Sequence, residues 1–190
     1  MTHVTDEQLI AEYLAGDEQA LATLIAHTLK PVYAYSYRLV HNRTDAEDIV
    51  QETFVKVWRN IKKYHRGQNF RAWLFRIARN TAIDQMRKRK NLAFSDFEND
   101  EGENALEDRL ADSDPLPDEL AIRSEDVRLV NRLIDTLPVK YQEVLSLYYT
   151  EGLTFKEIGE VIHAPLDTVK SRHRRALIAL KGLLHTQAPK

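Results

Sequence analysis

The chain has 190 residues, 43% hydrophobic and 29% charged, with no cysteine and six each of glycine and proline. That is one ordinary domain or two small ones with a packed core, and it excludes a wholly disordered or collagenous chain. It also excludes a disulfide framework, a thiolate zinc finger and a thiol nucleophile, while the net charge of −2 argues against a nucleic-acid binder only until its distribution is read.

The first twenty residues, beginning Met1-Thr-His-Val-Thr-Asp-Glu7, lack a basic start and an apolar stretch, and no apolar run approaches ~18 residues. A cytoplasmic chain without membrane insertion is expected. Thr5-Asp-Glu-Gln8 reads as a capping box, opening a helix with Leu9, Ile10, Tyr13 and Leu14 that stops at Gly16. Asp17 can cap a second helix carrying Leu21, Leu24 and Ile25. Pro31 is expected to kink or restart it before Val32, Tyr35 and Leu39. A second capping box, Thr44-Asp-Ala-Glu47, opens a helix expected to bury Ile49, Val50, Phe54, Val57 and Trp58. Asp48, Gln51, Glu52 and Val55 fall away from that set. Asp45 and Glu47 suit the helix dipole, whereas Asp48 and Glu52 lie too far in for that. DNA would repel an acidic face, so it reads as a docking surface for a basic protein partner.

The charge then reverses. Between Lys56 and Lys90 twelve basic side chains stand against Asp84 alone. Cations at that density repel one another unless a polyanion neutralises them. Among them lie Tyr64, Phe70, Trp73 and Phe75, and aromatics stack on unpaired bases while cations track a backbone. The loop from Lys63 to Asn69 leads into a helix from about Phe70 to Lys90, with Trp73, Leu74, Ile77 and Ala78 inside and Arg76, Asn80, Asp84 and Arg87 near one face. Tyr64, in a polar loop beside Gly67, is expected to be exposed. Trp73 is either core or a base contact.

Asn91 to Arg123 has no sustained period. From Ser95 to Asp126 thirteen acids face only Arg109 and Arg123, so this is a flexible acidic linker by composition. Helical spacing resumes with Val127, Val130, Leu133, Ile134 and Leu137. Pro138 suits the first turn of a helix with Val144, Leu145 and Tyr148 that ends near Gly152. A third capping box, Thr154-Phe-Lys-Glu157, opens a short helix with Ile158, Val161 and Ile162 inside, and Gly159 where two crossing helices must approach closely. His163-Ala164 makes a turn, and Pro165 starts a last helix anchored by Leu166, Val169, Ala176, Leu177 and Leu180. Its other face offers Asp167, Thr168, Lys170, Ser171, Arg174 and Arg175. This is a helix-turn-helix with donors and cations where base edges and phosphates need them.

Asp45-Ala-Glu-Asp-Ile-Val-Gln-Glu-Thr-Phe54, Phe70-Arg-Ala-Trp-Leu-Phe-Arg-Ile-Ala-Arg-Asn80 and Thr168-Val-Lys-Ser-Arg172, in this order around an acidic spacer, resemble bacterial RNA polymerase sigma factors of the sigma-70 type, extracytoplasmic-function group. The resemblance covers nearly the whole chain. It implies an all-α fold: a region 2-like bundle over 5–91, a flexible acidic linker over 92–123 that threads the RNA exit path, and a region 4-like helix-turn-helix over 124–186. It implies that Asp45, Asp48, Gln51 and Glu52 dock on the clamp helices of the polymerase largest subunit, and that the flap of the second-largest subunit is a further contact. Lys62, Tyr64, Gln68, Asn69, Phe70, Trp73, Arg76, Asn80, Asp84 and Arg87 would open and read the minus-10 element, capturing a flipped base of the single strand. Thr168, Lys170, Ser171, Arg174 and Arg175 would read duplex minus-35 DNA. An anti-sigma factor is implied as a further partner, and no cofactor.

His163 stands where the turn often has glycine, and His173 where the last helix often has an apolar residue. The alternative, a free-standing helix-turn-helix regulator that binds duplex DNA without polymerase, needs neither the acidic helix nor the aromatic-basic loop. An enzyme such as a recombinase would need a nucleophile and acid–base set or a metal cluster, and the seven histidines are dispersed.

Overall fold

The computed structural model describes residues 4–64, 67–95 and 125–187. Helices α1 (Asp6–Leu14), α2 (Glu18–Val40), α3 (Arg43–Asn60) and α4 (Phe70–Ser95) form a first module. Helices α5 (Glu125–Asp135), α6 (Val139–Leu145), α7 (Phe155–Ile162) and α8 (Leu166–Gln187) form a second. The expected linker lies outside the described residues except for 92–95, which continue α4. No described helix is long and apolar enough to cross a membrane.

Local chemistry explains most boundaries. Thr5 Oγ1 accepts from the Gln8 N–H and Gln8 Oε1 from the Thr5 N–H, closing the first capping box. Asp17 Oδ1 accepts from the Gln19 N–H. The second box does not form. Asn42 caps α3 instead, accepting from the Asp45 N–H at 3.0 Å, while Glu47 pairs with Arg43 one turn back. The helix thus starts a residue before Thr44, because an asparagine oxygen caps as well as a threonine hydroxyl. Pro31 neither ends nor restarts α2, which runs through it for 23 residues.

The first module's core gathers Leu9, Ile10, Leu24, Val32, Tyr35, Ile49, Val57, Ile61, Leu74 and Phe75. Trp58, expected inside, is 57% exposed. In the second module Leu133, Leu137, Leu145, Ile158, Val161, Ile162, Val169 and Ala176 are buried. Leu166 and Leu177, expected to anchor the last helix, are exposed, as is Val130 on α5. The anchoring of α8 rests on Val169 and Ala176, with Leu180 partly buried.

Candidate functional site

Three surfaces carry the chemistry. The first is one face of α3. Asp48, Gln51, Glu52, Val55 and Trp58 are all exposed and fall within an arc of about 120° at 3.6 residues per turn. Asp45 does not join them. It is buried and ion-paired with Arg89 of α4, since a desolvated carboxylate needs a cation beside it. The acidic stripe is therefore shorter than expected and ends on an exposed indole.

The second surface lies between α3 and α4. Lys56, Asn60, Lys63, Trp73, Ile77 and Asn80 line an open pocket of about 510 Å³. Lys56 Nζ is anchored on Thr81 Oγ1 at 3.0 Å and paired with Glu52 at 2.8 Å, and the Asn60 amide donates to the Lys56 carbonyl. Trp73 stands at the boundary between the core and the pocket. It is half-buried against Tyr64 and Phe70, at ring distances of 5.5 and 5.9 Å, and it forms a wall of the pocket.

Tyr64 and Phe70 are buried, not presented. The Tyr64 hydroxyl donates to the Gln68 carbonyl, so this ring holds the loop rather than offering a free stacking face. Burial pushes its phenol pKa up. Asn69 is committed as the cap of α4, its Oδ1 accepting from the Arg71 and Ala72 N–H groups. Lys62, Gln68, Asn80, Asp84 and Arg87 are exposed, and Arg76 is half-buried. Lys56, Asn60 and Lys63 were missing from the sequence-derived set. The cationic density of the segment contained their signal, but the pairing of α3 with α4 that makes a pocket did not.

The third surface is the helix-turn-helix. The box at Thr154 forms as expected, with Glu157 Oε2 accepting from the Thr154 N–H at 2.8 Å. Burial pushes the Glu157 carboxyl up, but hydrogen bonds from Thr154 and Asn69, with Lys156 nearby, outweigh it and leave the pKa lowered. His163 sits at φ 52°, the left-handed conformation that explains a glycine preference in this turn. Gly159 approaches the turn more closely than the next helix: a Cβ there would meet the Ala164 carbonyl oxygen at 2.8 Å and Val169 at 3.7 Å. On α8, Lys170, Arg174 and Arg175 are exposed, with Thr168 and Ser171 half-buried beside them.

His173 turns inward from that face. It packs on Tyr148, Tyr149 and Phe155 at ring distances of 5.0 to 5.6 Å, and its Nε2 lies 3.2 Å from the Tyr149 hydroxyl. Tyr148 and Tyr149 belong to a π-helical turn, Ser146–Thr150. So His173 keeps the inner register by acting as an aromatic. Burial lowers its pKa from the ordinary 6.5. Protonation then favours the unfolded chain, and His173's contribution is complete above pH 6.5 and lost as pH falls through the lowered folded value. We expect His173→Phe to narrow the loss of melting temperature between about pH 7 and about pH 5. Equal losses in both proteins across that range would remove His173 as its source.

Among the described residues no group of His, Cys, Asp and Glu could hold a metal ion. Residues 24–92 match the family model for sigma-70 region 2, and residues 128–180 match that for sigma-70 region 4. The chain is 34% identical to the ECF RNA polymerase sigma factor SigW of Bacillus subtilis, over 92% of this chain and 94% of that one. It is 31% identical to the RNA polymerase sigma-H factor of Pseudomonas aeruginosa, over 97% and 96%. Among solved structures it resembles the sigma factor RpoE of Bartonella quintana in complex with the anti-sigma factor NepR, with a TM-score of 0.65 and 26% identity over 88% of this chain and 98% of that one.

Proposed function

The chain belongs to the ECF group of sigma-70 family RNA polymerase sigma factors, non-enzymatic subunits that direct promoter-specific initiation, and on that premise we propose how its residues divide the work. The first module spans 5–91 and the second 124–186, as the sequence reading has it. The α3 face of Asp48, Gln51, Glu52, Val55 and Trp58 docks on the clamp helices of the largest polymerase subunit, and the second module sits at the flap of the second-largest. The pocket of Lys56, Asn60, Lys63, Trp73, Ile77 and Asn80 receives an unpaired base of the minus-10 element. Its lysines meet the backbone, its indole stacks, and Asn80 offers both a donor and an acceptor to the base edge. Arg76, Asp84 and Arg87 extend that surface along α4, and Lys62 and Gln68 border it. Thr168, Lys170, Ser171, Arg174 and Arg175 read the minus-35 element in the major groove. The Bartonella relative is held by an anti-sigma factor, and an anti-sigma factor is the partner we assign to this chain in the cytoplasm.

The observation that carries this reading is the pocket: an aromatic wall and two lysines at an opening large enough for a base, set between the end of α3 and α4 beside the acidic docking face of α3. A free-standing duplex-binding regulator has no use for either. Transcription in vitro with purified core polymerase and a promoter library tests it. Initiation from a discrete promoter class is expected, with promoter affinity falling steeply as salt rises. Initiation no different from core polymerase alone would end the reading.

A further inference from the structure

Lys56 reaches the base pocket from α3, but what fixes its ammonium lies on α4. Lys56 Nζ donates to Thr81 Oγ1 at 3.0 Å, across the gap between the two helices. Thr81 is 1% exposed and follows Asn80, a wall of the pocket. Its hydroxyl has one proton, which it gives to the Ile77 carbonyl at 2.9 Å. What faces Lys56 is therefore a lone pair, and the hydroxyl acts toward it only as an acceptor. The back-bond alone is ordinary, made also by Thr23 and Thr28 of α2; the ammonium received on its other side is what gives Thr81 a role. The Lys56 backbone is tied as well, its carbonyl accepting from the Asn60 amide at 2.8 Å. On the outer side Glu52 pairs with Nζ at 2.8 Å, but both of these side chains keep a third or more of their surface in water, so that pair is screened and adjustable. The buried acceptor is the fixed one.

An ammonium has three donors. Thr81 and Glu52 take two of those on Lys56, and the third is left for DNA. An unanchored lysine gives up the rotamer freedom of its long stem when it binds, whereas one pinned in the folded chain has given it up beforehand. We propose that Thr81 is a positioning residue of the minus-10 pocket: it touches no DNA, and it holds the Lys56 ammonium beside Trp73 and Asn80, so that the strand backbone is met there while the base is seated. This rests on the minus-10 reading above. It also accounts for a hydroxyl on the buried side of α4, where Leu74, Ala78 and Ala82 are apolar and valine has the same shape. Nothing in the local sequence singles Thr81 out, because its partner lies 25 positions away.

Thr81→Val keeps the shape and removes the acceptor, while Thr81→Ser keeps the acceptor. Core polymerase reconstituted with each variant is titrated with a fluorescent single-stranded oligonucleotide, the non-template minus-10 segment of a promoter that the wild-type chain selects. Thr81→Val should weaken binding about tenfold, the ordinary loss for a hydrogen bond to a charged group, and Thr81→Ser should restore it to within about twofold. The melting temperature of Thr81→Val should stay close to that of wild type. In a Lys56→Met background Thr81→Val should cost nothing further, since the group it positions is gone. In a Lys63→Met background, which removes the other lysine of the pocket, it should cost its full factor. If Thr81→Val loses helical circular dichroism, Thr81→Ala is scored in the same way against Thr81→Ser. Binding by Thr81→Val equal to wild type overturns the proposal. So does a loss that persists in the Lys56→Met background, which would make Thr81 a packing residue. A wild-type chain that selects no promoter ends the minus-10 reading and this proposal with it, whereas initiation by wild type beside undiminished binding by Thr81→Val removes Thr81 alone.

Discussion

Trp58→Ala is expected to weaken association with core polymerase by roughly 30-fold or more, the loss of about 2 kcal/mol that marks an interface hot spot. The indole is more than half exposed at the end of an acidic stripe, so it supports little of the chain's own core. Removing an exposed side chain leaves stability within about 0.5 kcal/mol. Affinity and melting temperature should therefore separate, which a structural role would not allow. Tryptophan contributes through area: a large rigid ring, desolvated between two surfaces, with few rotamers to freeze. Surface-immobilised core polymerase, titrated with wild type and variant, gives the measurement. Affinities within threefold of each other would remove α3 as the docking helix.

Reversing Asp48 and Glu52 to Lys tests the same face by a different term. Both are exposed, and the Glu52–Lys56 pair is a surface i,i+4 contact worth little to stability. Charges at the edge of an interface act mainly on the association rate and its salt dependence. The double reversal should slow association most at low salt, whereas Trp58→Ala should act mostly on dissociation.

The difference between these residues shows what local pattern can carry. Spacing placed the acids of α3 outward correctly, because charge and helical period agree. It misplaced Trp58, which sits at the margin of the apolar stripe, where period alone does not decide burial. It also misplaced Asp45, whose partner Arg89 lies 44 positions further along the sequence. Tyr64 looked like a loop aromatic aimed at solvent, but Phe70 and Trp73 offer it rings to pack on, and that clustering depends on the path of the chain. The capping boxes at Thr5 and Thr154, the helix-turn-helix and the basic α4 were legible because each is written in one continuous stretch of sequence. The contacts of Glu143 were not. Its partners Arg79 and Tyr35 are 64 and 108 residues away, and nothing near Glu143 announces its burial.

Gly159→Ala should destabilise the second module by about 1–2 kcal/mol and weaken binding to minus-35 duplex DNA, although alanine is the better helix former. The gain in helix propensity, about 1 kcal/mol, competes with a Cβ placed 2.8 Å from the Ala164 carbonyl oxygen. That oxygen is backbone and cannot swing aside as a side chain could. The turn is also fixed from both ends, by the Ala164 N–H on the Gly159 carbonyl at 3.0 Å and the Val169 N–H on the Pro165 carbonyl at 3.1 Å. Relief must come from moving α7 against α8, and overpacking of this kind costs about 1–3 kcal/mol. The movement re-aims Lys170, Arg174 and Arg175, so stability and DNA affinity should fall together. Gly182→Ala on α8 is the control: a Cβ there meets nothing within 4 Å, and the same substitution should raise the melting temperature. If both variants stabilise the chain, the turn has room for a methyl group, and the close approach of Gly159 does not set the angle at which α8 is presented to DNA.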